Sequence, residues 1–321
     1  MTKKAVFITT KNLDYLRNVQ EIELLKRKYE LTVIGSSRKS YLKRLIKVYF
    51  DLLTLSVEDM EEVFIGFAPQ LIVPFWKRKF KKNYVTIDFF ISLYDTMVFD
   101  RKKFKEKSWF TKILKKIDEI TIKNADHIIV DTKAHGQYFV EEFHAAPEKL
   151  EVLYLNADPS IYYPMRIRKP EEYAGKFVVL YFGSVLPLQG VDIILQAVKV
   201  LEEREDIYFE IIGPVPEKYQ KTKNVTYIPW LEQKDLAGHI AYADLCLAGH
   251  FNKNIMKAKR TIPGKAYIYR AMGKSMILGD NPATHELYHE QDEGIYFVPM
   301  GDPKALANKI IIIKNGFCVH L

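Results

Sequence analysis

The feature that most constrains the fold is a series of short apolar runs that alternate with segments of helical spacing. Residues 5–9 and 31–35 have the pattern of buried strands, and residues 13–29 between them place apolar side chains every three or four positions. The other predicted strands are 63–67, 84–90, 125–131, 151–155, 177–183, 207–213, 225–228, 244–248, 275–278 and 295–298. Because strands separated by helices pair in parallel and are covered on both faces, we predict an α/β fold with Rossmann-like parallel sheets covered by helices.

The alternation is interrupted between residues 156 and 175, where Asn, Asp, Pro and Gly accumulate. A break of this composition in a chain of 321 residues indicates a linker between two domains. We predict an N-terminal domain over 1–165 and a C-terminal domain over 172–321, both Rossmann-like and facing a cleft. The C-terminal domain is predicted to be shortened at its end, because only NGFCVHL follows the apolar stretch at 309–314.

The composition is that of a folded protein, with 48% hydrophobic and 27% charged residues. Cys246 and Cys318 have no zinc-ligand or redox spacing, which favours a reducing compartment. The N-terminus enters the first predicted strand without the pattern of a signal peptide, and no apolar run reaches the roughly 18 residues of a spanning helix. We therefore expect a cytoplasmic protein that is soluble or peripheral at the inner face of the plasma membrane.

Positive charge is concentrated in the first half of the chain. The net charge is +8, and residues 1–165 contain 28 Lys+Arg against 22 Asp+Glu. In the segments 41–53, 71–82 and 101–116, basic residues are interleaved with apolar and aromatic ones. This mixture suits an anionic membrane surface, which is a further expected partner, although solvated helix faces can have the same composition. Nucleic acid is not an expected partner, because no motif for it is present.

In the second half, glycines and polar residues follow the predicted strands. Carboxyl ends of parallel strands meet at one sheet edge, where helix N-termini offer free amides to phosphate. No GxGxxG or GxxxxGK[ST] motif is present, which argues against simple dinucleotide or P-loop binding. We predict instead a diphosphate pocket with Lys265 as its cation. Its other residues are Gly183, Ser184, Gln189, Gly190, Gly213, Gly249, His250, Gly264, Asp280 and Thr284.

Several of these segments resemble family 4 of the retaining glycosyltransferases, which have the GT-B fold. The similar segments are YFGSVLPLQGVDIILQAV (181–198), FEIIGPVP (209–216), VTYIPWLEQKDLAGHIAYADLCL (225–247), IPGKAYIYRAMGKSMILGDNPATHEL (262–287) and VPMGDPKALANKI (298–310). The first half adds ADHIIVDTKAHGQYFVEEFHAAPEKLEVLYLNADPSIYYP (125–164). The resemblance is closest to a branch that builds bacterial surface polysaccharides, and DFFISLYDT (88–96) is similar to a segment of that branch.

This resemblance implies transfer of a sugar, with retention of configuration, from a UDP- or GDP-linked sugar to a growing, lipid-linked glycan. No metal and no cofactor are implied, because helix ends and basic side chains would neutralise the diphosphate leaving group. The strand-end residues then become donor-binding residues, and Lys265 and Glu286 take catalytic roles. Acceptor contacts are implied for the N-terminal domain, with Asp88 and Asp95 as candidates.

The sequence departs from the pattern of this family within the donor site. The family glutamates fall on Arg260 and Ile268, and the phosphate-binding Arg and Lys of the family fall on Ser184 and Gln189. We predict that Lys265, Lys259 and Arg260 replace them as phosphate cations. Two alternatives stay open: a catalytically degenerate subunit that supports an active partner, and a nucleotide-sugar epimerase of similar fold.

Each candidate residue also has a purely structural interpretation. Lys265 would then be a solvated residue in a first helical turn, and His250 would be a packed, neutral side chain. Glu286 would cap the helix that is predicted to start near Thr284, because carboxylates favour helix N-termini. The two aspartates of the N-terminal domain would serve in caps and turns.

Overall fold

The computed structural model describes residues 3–219 and 222–317, and the chain divides into two compact units, Met1–Asn156 and Ala157–Leu321. The strands of the first unit are β1 (Lys4–Ile8), β2 (Glu30–Ile34), β3 (Glu62–Ile65), β4 (Tyr84–Asp88), β5 (His127–Val130) and β6 (Leu150–Val152). Its helices are α1 (Leu16–Lys26), α2 (Tyr41–Thr54), α3 (Val73–Trp76), α4 (Leu93–Asp95), α5 (Trp109–Lys123) and α6 (Lys133–Phe143).

The sheet of the first unit is parallel, in the order β2-β1-β3-β4-β5-β6. Val6 in β1 lies opposite Thr32 of β2 and Val63 of β3. Helices cover the sheet, so the strands read as continuous apolar runs and not as alternating ones. The strand order reverses between β1 and β3, which is the flavodoxin-like arrangement.

The second unit contains the strands β7 (Phe177–Phe182), β8 (Ile207–Ile212), β9 (Val225–Ile228), β10 (Leu245–Gly249), β11 (Met276–Gly279) and β12 (Ile295–Val298). Its helices are α7 (Val191–Val200), α8 (Gln233–Tyr242), α9 (Met256–Arg260), α10 (Gly264–Ala271) and α11 (Pro303–Phe317). The sheet is parallel, in the order β12-β11-β10-β7-β8-β9. This is the strand order of dinucleotide-binding Rossmann domains.

The predicted α/β class with parallel, helix-covered sheets is confirmed, and the differences concern element ends. The strand predicted over 84–90 ends at Asp88, although the next residues are apolar. Just beyond this strand, the buried carboxylate of Asp118 accepts from Ser92 Oγ at 2.7 Å and from the backbone nitrogen of Tyr94 at 2.9 Å, and these bonds hold the turn at which α4 begins. Burial raises the pKa of Asp118 to about 6 despite these hydrogen bonds.

Only one of the two cysteines lies within the described residues. Cys246 lies in β10 as a buried free thiol, and burial raises its pKa to about 12. Cys318 lies outside the described residues, as does the segment after residue 317 on which the predicted shortening depends.

Candidate functional site

The carboxyl ends of β7 and β10 lie side by side where the strand order of the second sheet reverses. From β7 the chain continues through α7 to β8 on one side, whereas β10 is followed by β11 on the other side. Ligands of doubly wound sheets bind at such switch points, because the diverging loops leave a crevice. The residues that follow β7, β8, β10 and β11 therefore form the candidate site.

Two glycines bring the loops after β7 and β8 into contact. Gly183 has φ +141° and Gly213 has φ +150°, backbone conformations that are unfavourable for other residues. A Cβ atom placed on Gly213 would lie 2.1 Å from the carbonyl oxygen of Gly183. No side chain fits at that distance, so a glycine is required for these strand ends to meet.

Lys265, in the first turn of α10, places its ammonium group at the ends of β7 and β10. The residue is 6% exposed, and its Nζ donates to Oε1 of Gln189 at 2.5 Å. A Cβ atom on Gly183 would lie 3.5 Å from this Nζ, and one on Gly249 would lie 3.1 Å from it. The structure thus brings three other predicted site positions, Gly183, Gln189 and Gly249, together around the buried Lys265 ammonium.

The ammonium of Lys265 has no ion-pair partner within the described residues. Its surroundings include the Gln189 amide and the ring of Tyr181, whose centroid lies 4.9 Å from Nζ. Burial lowers the pKa of Lys265 to about 7, and no neighbouring carboxylate counters this shift. Because a buried charge without a counter-charge is unfavourable, an anion that reaches this group gains a strong interaction.

Two helices begin beside this ammonium group. Helix α7 begins after Gly190 and α10 begins at Gly264, and neither N-terminus is capped by a described side chain. The first amides of a helix have no partner within it, and they carry the positive end of the helix dipole. Gly190 has φ +68°, and a Cβ atom there would lie 2.8 Å from the backbone nitrogen of Asn252. The start of α7 therefore lies against the loop that follows β10.

The loop after β11 is held by hydrogen bonds within itself. Asn281 Oδ1 accepts from the backbone of Thr284 at 3.1 Å, and Thr284 Oγ1 donates to the carbonyl of Gly279 at 2.9 Å. The side chain of Thr284 is fully buried, so its hydroxyl supports the loop. A Cβ atom on Gly279 would lie 2.8 Å from the carbonyl oxygen of His250, which brings this loop to the end of β10.

The carboxylates of this loop lie nearer to solvent. Asp280 is exposed and accepts from Nε2 of His285 at 2.8 Å. Glu286 ends the short 3-10 turn Thr284–Glu286 and is half-buried. The sequence predicts a helix that starts near Thr284, and the structure has only this three-residue turn there, with Glu286 as its last residue.

His250 and Arg260 border the site on the side of α9. His250 adopts a left-handed backbone conformation (φ +59°) and is 3% exposed. Its Nδ1 donates to the carbonyl oxygen of Thr261 at 2.9 Å, and because a carbonyl only accepts, the hydrogen is on Nδ1. Arg260 is the last residue of α9 and is half-buried. In the loop after β7, Ser184 follows Gly183 and is exposed.

The two predicted acceptor residues are buried in the first unit. Asp88 is 1% exposed and accepts from Nε and Nη2 of Arg17 at 2.5 and 2.7 Å. Asp95 is also 1% exposed and lies in α4, where its backbone nitrogen donates to Ser92 Oγ at 2.9 Å. Neither carboxylate is offered to solvent, and the acceptor role of these residues stays a prediction.

Tyr181 belongs to this site, although sequence reasoning did not select it. Its hydroxyl is buried and forms no hydrogen bond with the described residues. A Cβ atom on Gly183 would lie 3.4 Å from that hydroxyl oxygen. The signal in the sequence is the two-residue period of a strand, which places Tyr181 on the same face of β7 as Gly183.

The described residues contain no group of three or more His, Cys, Asp and Glu side chains that could hold a metal ion. The charged groups of the candidate site are therefore the side chains described above, with the helix amides beside them.

Comparison with known sequences connects the second unit to glycosyltransferases. Residues 176–315 match the family model described as "Glycosyl transferases group 1". D-inositol 3-phosphate glycosyltransferase from a Nocardioides species is 22% identical over 190 residues, which cover 49% of this chain and 41% of that protein. The chain thus matches less than half of the length of this relative. The family match, which includes the whole candidate site, supports a glycosyltransferase class for this unit.

Solved structures share the two-domain fold. Sucrose-phosphate synthase from Thermosynechococcus elongatus is 12% identical with a TM-score of 0.73, over 98% of this chain and 90% of that one. Anabaena Alr3699/HepE in complex with UDP is 13% identical with a TM-score of 0.61, over 97% of this chain and 90% of that one. Identities this low show the fold alone, and that fold is the GT-B class predicted from the sequence.

Proposed function

We propose that the chain transfers a sugar from a UDP- or GDP-linked donor to a growing glycan, with retention of configuration at the anomeric carbon. The observation that carries this proposal is the buried ammonium of Lys265, which forms no ion pair with any described carboxylate. It lies where α7 and α10 begin, so a cation and two sets of helix amides face one sheet edge. A diphosphate is the anion that such a site would stabilise best.

The chemistry needs stabilisation of the departing nucleoside diphosphate. As the bond between the anomeric carbon and the phosphate oxygen breaks, its electron pair moves onto the diphosphate. The acceptor hydroxyl forms the new bond on the same face of the sugar, and its proton passes to the released phosphate oxygen. Lys265 and the helix amides would be aligned with that negative charge before the reaction, so little reorganisation is needed when the charge develops.

Other basic residues would replace the phosphate-binding cations of the family, and this supports activity despite the departures from the family pattern. Residues 184 and 189, which hold the phosphate-binding Arg and Lys of family 4, are Ser and Gln in this chain. Lys265 lies on α10, and its Nζ donates a hydrogen bond to Gln189 Oε1. Its positive charge is therefore located at the same loop. Lys259 and Arg260, on α9, are the other candidate cations. Glu286 and Asp280 would meet the donor sugar from the loop after β11.

The proposed acceptor is a lipid-linked glycan of the kind that becomes a bacterial surface polysaccharide, extended at the cytoplasmic side of the membrane. The resemblance of residues 88–96 to that branch of family 4 supports this choice. The basic excess of the first half suits phosphate groups on such an acceptor. Because Asp88 is paired with Arg17, we infer that it contributes to the acceptor side by supporting the loop after β4.

Nucleotide binding by the full chain tests the donor site. We expect UDP or GDP to raise the melting temperature and to bind at least about tenfold more tightly than the corresponding monophosphate, because the second phosphate adds charge-assisted hydrogen bonds. Equal affinity for the two phosphate forms, or no shift with any nucleoside diphosphate, would remove the basis of the proposal. With a donor identified, NMR of the product's anomeric proton distinguishes retention from inversion.

A degenerate, supporting subunit is the second candidate, and Ile268 favours it. This residue is half-buried on α10 at the position of the glutamate that holds the ribose in family 4, and it cannot accept a hydrogen bond. Donor turnover separates the candidates. A supporting subunit would bind glycan without consuming donor, whereas conversion of the donor to its epimer without acceptor would identify an epimerase.

A further inference from the structure

Helix α2 carries an apolar stripe that the described part of the protein leaves exposed. Its members recur at helical spacing and are each between 60% and 70% exposed: Leu42 (65%), Ile46 (60%), Phe50 (65%) and Leu53 (70%). The opposite side of the helix, represented by Val48 and Leu52, is fully buried in the core of the first unit. The helix is therefore anchored by one apolar side and presents a second one outward.

Helix α3 extends this surface. Phe75 is 67% exposed, and its ring centroid lies 6.4 Å from that of Tyr49 on α2. Hydrogen bonds join α2 to the chain on both sides of α3, because Tyr49 Oη donates to the carbonyl of Leu71 at 2.5 Å and Lys79 Nζ donates to the carbonyl of Leu52. We call the set Leu42, Ile46, Phe50, Leu53 and Phe75 the α2–α3 face.

Basic side chains are frequent in the two segments that form the α2–α3 face. Over residues 38–54 and 71–82, the single acidic residue is Asp51, which already accepts from Lys47 Nζ at 2.8 Å. The exposed basic residues of these two segments are Arg38, Lys39, Lys43, Lys47, Lys77, Arg78, Lys81 and Lys82. The exposed apolar residues of the α2–α3 face are thus accompanied by eight exposed basic residues, which we call its basic rim.

We propose that the α2–α3 face docks onto the surface of an anionic phospholipid bilayer. Exposed Leu, Ile and Phe would enter the boundary between headgroups and acyl chains, while the Lys and Arg rim binds the phosphates. A second copy of the chain fits less well, because pairing two such faces would oppose two positive rims. Among the helices that the structure describes, none has the length and hydropathy of a membrane span.

Vesicle sedimentation with the full chain tests this contact. We expect binding to vesicles of phosphatidylcholine and phosphatidylglycerol but not to phosphatidylcholine alone, with weaker binding at high salt. The variant Ile46→Ser/Phe50→Ser should lower the partition coefficient at least about tenfold, because two apolar side chains lose their burial in lipid. The variant Lys43→Gln/Lys77→Gln should lower it less and should remove part of the salt dependence.

A control variant distinguishes binding through the α2–α3 face from non-specific binding through any exposed apolar residue. Ile312→Ser changes an equally exposed apolar residue (65%) on α11 of the second unit and should leave vesicle binding unchanged. All these positions are exposed, so the circular dichroism spectrum and the affinity for nucleotides should stay at wild-type values. This nucleotide control distinguishes failure of the membrane contact from failure of the donor site.

Three results would overturn the assignment. The first is absence of wild-type binding to the anionic vesicles. The second is a loss of binding with Trp109→Ser, at the exposed start of α5, while Ile46→Ser/Phe50→Ser still binds. The third is a dimer in sedimentation equilibrium that the α2 variant dissociates, since the occupant would then be a second copy.

Discussion

Each unit of this protein buries a cation near the carboxyl end of its sheet, and the two cations have opposite surroundings. Arg17 is 2% exposed and binds the carboxylate of Asp88, the last residue of β4, through two nitrogens. Lys265 is 6% exposed and has no carboxylate partner in the described chain. Burial acts to lower both pKa values. In Arg17 the charge and hydrogen bond of Asp88 reverse this effect, whereas the pKa of Lys265 falls to about 7.

This difference separates an ion pair that is complete within the protein from a cation that the proposed function assigns to a ligand. Arg17 also lies 3.6 Å from Glu21, but burial raises the pKa of that carboxyl well above its usual range, which leaves Asp88 as the main counter-charge. The charge of Arg17 is therefore balanced before any ligand arrives. The described residues provide no such counter-charge for Lys265, and under the proposed function a bound diphosphate would supply it.

The largest expected effect comes from breaking the balanced pair. Arg17→Met should lower the free energy of unfolding of the first unit by about 3–5 kcal/mol, because Asp88 would remain buried without its partner. Urea denaturation followed by the fluorescence of Trp76 and Trp109 measures this loss. Nucleotide affinity should not change. The double variant Arg17→Met/Asp88→Leu should recover most of the stability, and failure to recover it would mean that packing, not charge balance, explains the loss.

Removal of Lys265, the cation without a carboxylate partner, should weaken ligand binding without lowering stability. Lys265→Met should leave the melting temperature equal to or above the wild-type value, but weaken diphosphate binding by about 2 kcal/mol, about thirtyfold in Kd. Isothermal titration calorimetry with the preferred nucleoside diphosphate measures this. Lys304→Met, an exposed residue of α11, is the matched control. Equal weakening in both variants would point to general electrostatics instead of a built site.

The smallest effect is a pH dependence, above pH 7, that follows from the lowered pKa of Lys265 in the second unit. The pKa of Lys265 is lower in the folded than in the unfolded chain, so the unfolded chain binds more protons above pH 7 and folding stability should rise from there. A bound diphosphate requires the protonated amine, so its Kd should rise up to about tenfold per pH unit above pH 7. Calorimetry in buffers of different ionisation enthalpy should detect proton uptake at pH 8. A Kd that stays constant from pH 7 to 9, or the same slope in Lys265→Met, would contradict this assignment.

The basic, aromatic segments show which features of a helix surface can be predicted from local sequence and which cannot. The composition of residues 41–53 predicts an apolar, basic stretch, and it leaves a membrane surface and a solvated helix equally open. The structure adds that Val48 and Leu52 are buried while Ile46 and Phe50 are not. Composition cannot decide this, because both sides of α2 are apolar and the choice depends on which side the sheet of the first unit covers.

The sequence by itself determined the parallel sheets, most of their covering helices and the glycines at the strand ends, because these depend on the spacing of apolar residues along a short stretch of chain. Only the tertiary structure decided which polar groups meet. Gln189 and Lys265 are 76 residues apart, and Arg17 and Asp88 are 71 apart. Their contacts depend on where the packed sheets direct each loop. For this reason the sequence predicts both Asp88 and Lys265 as site residues, although Asp88 is paired with Arg17 inside the protein and Lys265 has no carboxylate partner among the described residues.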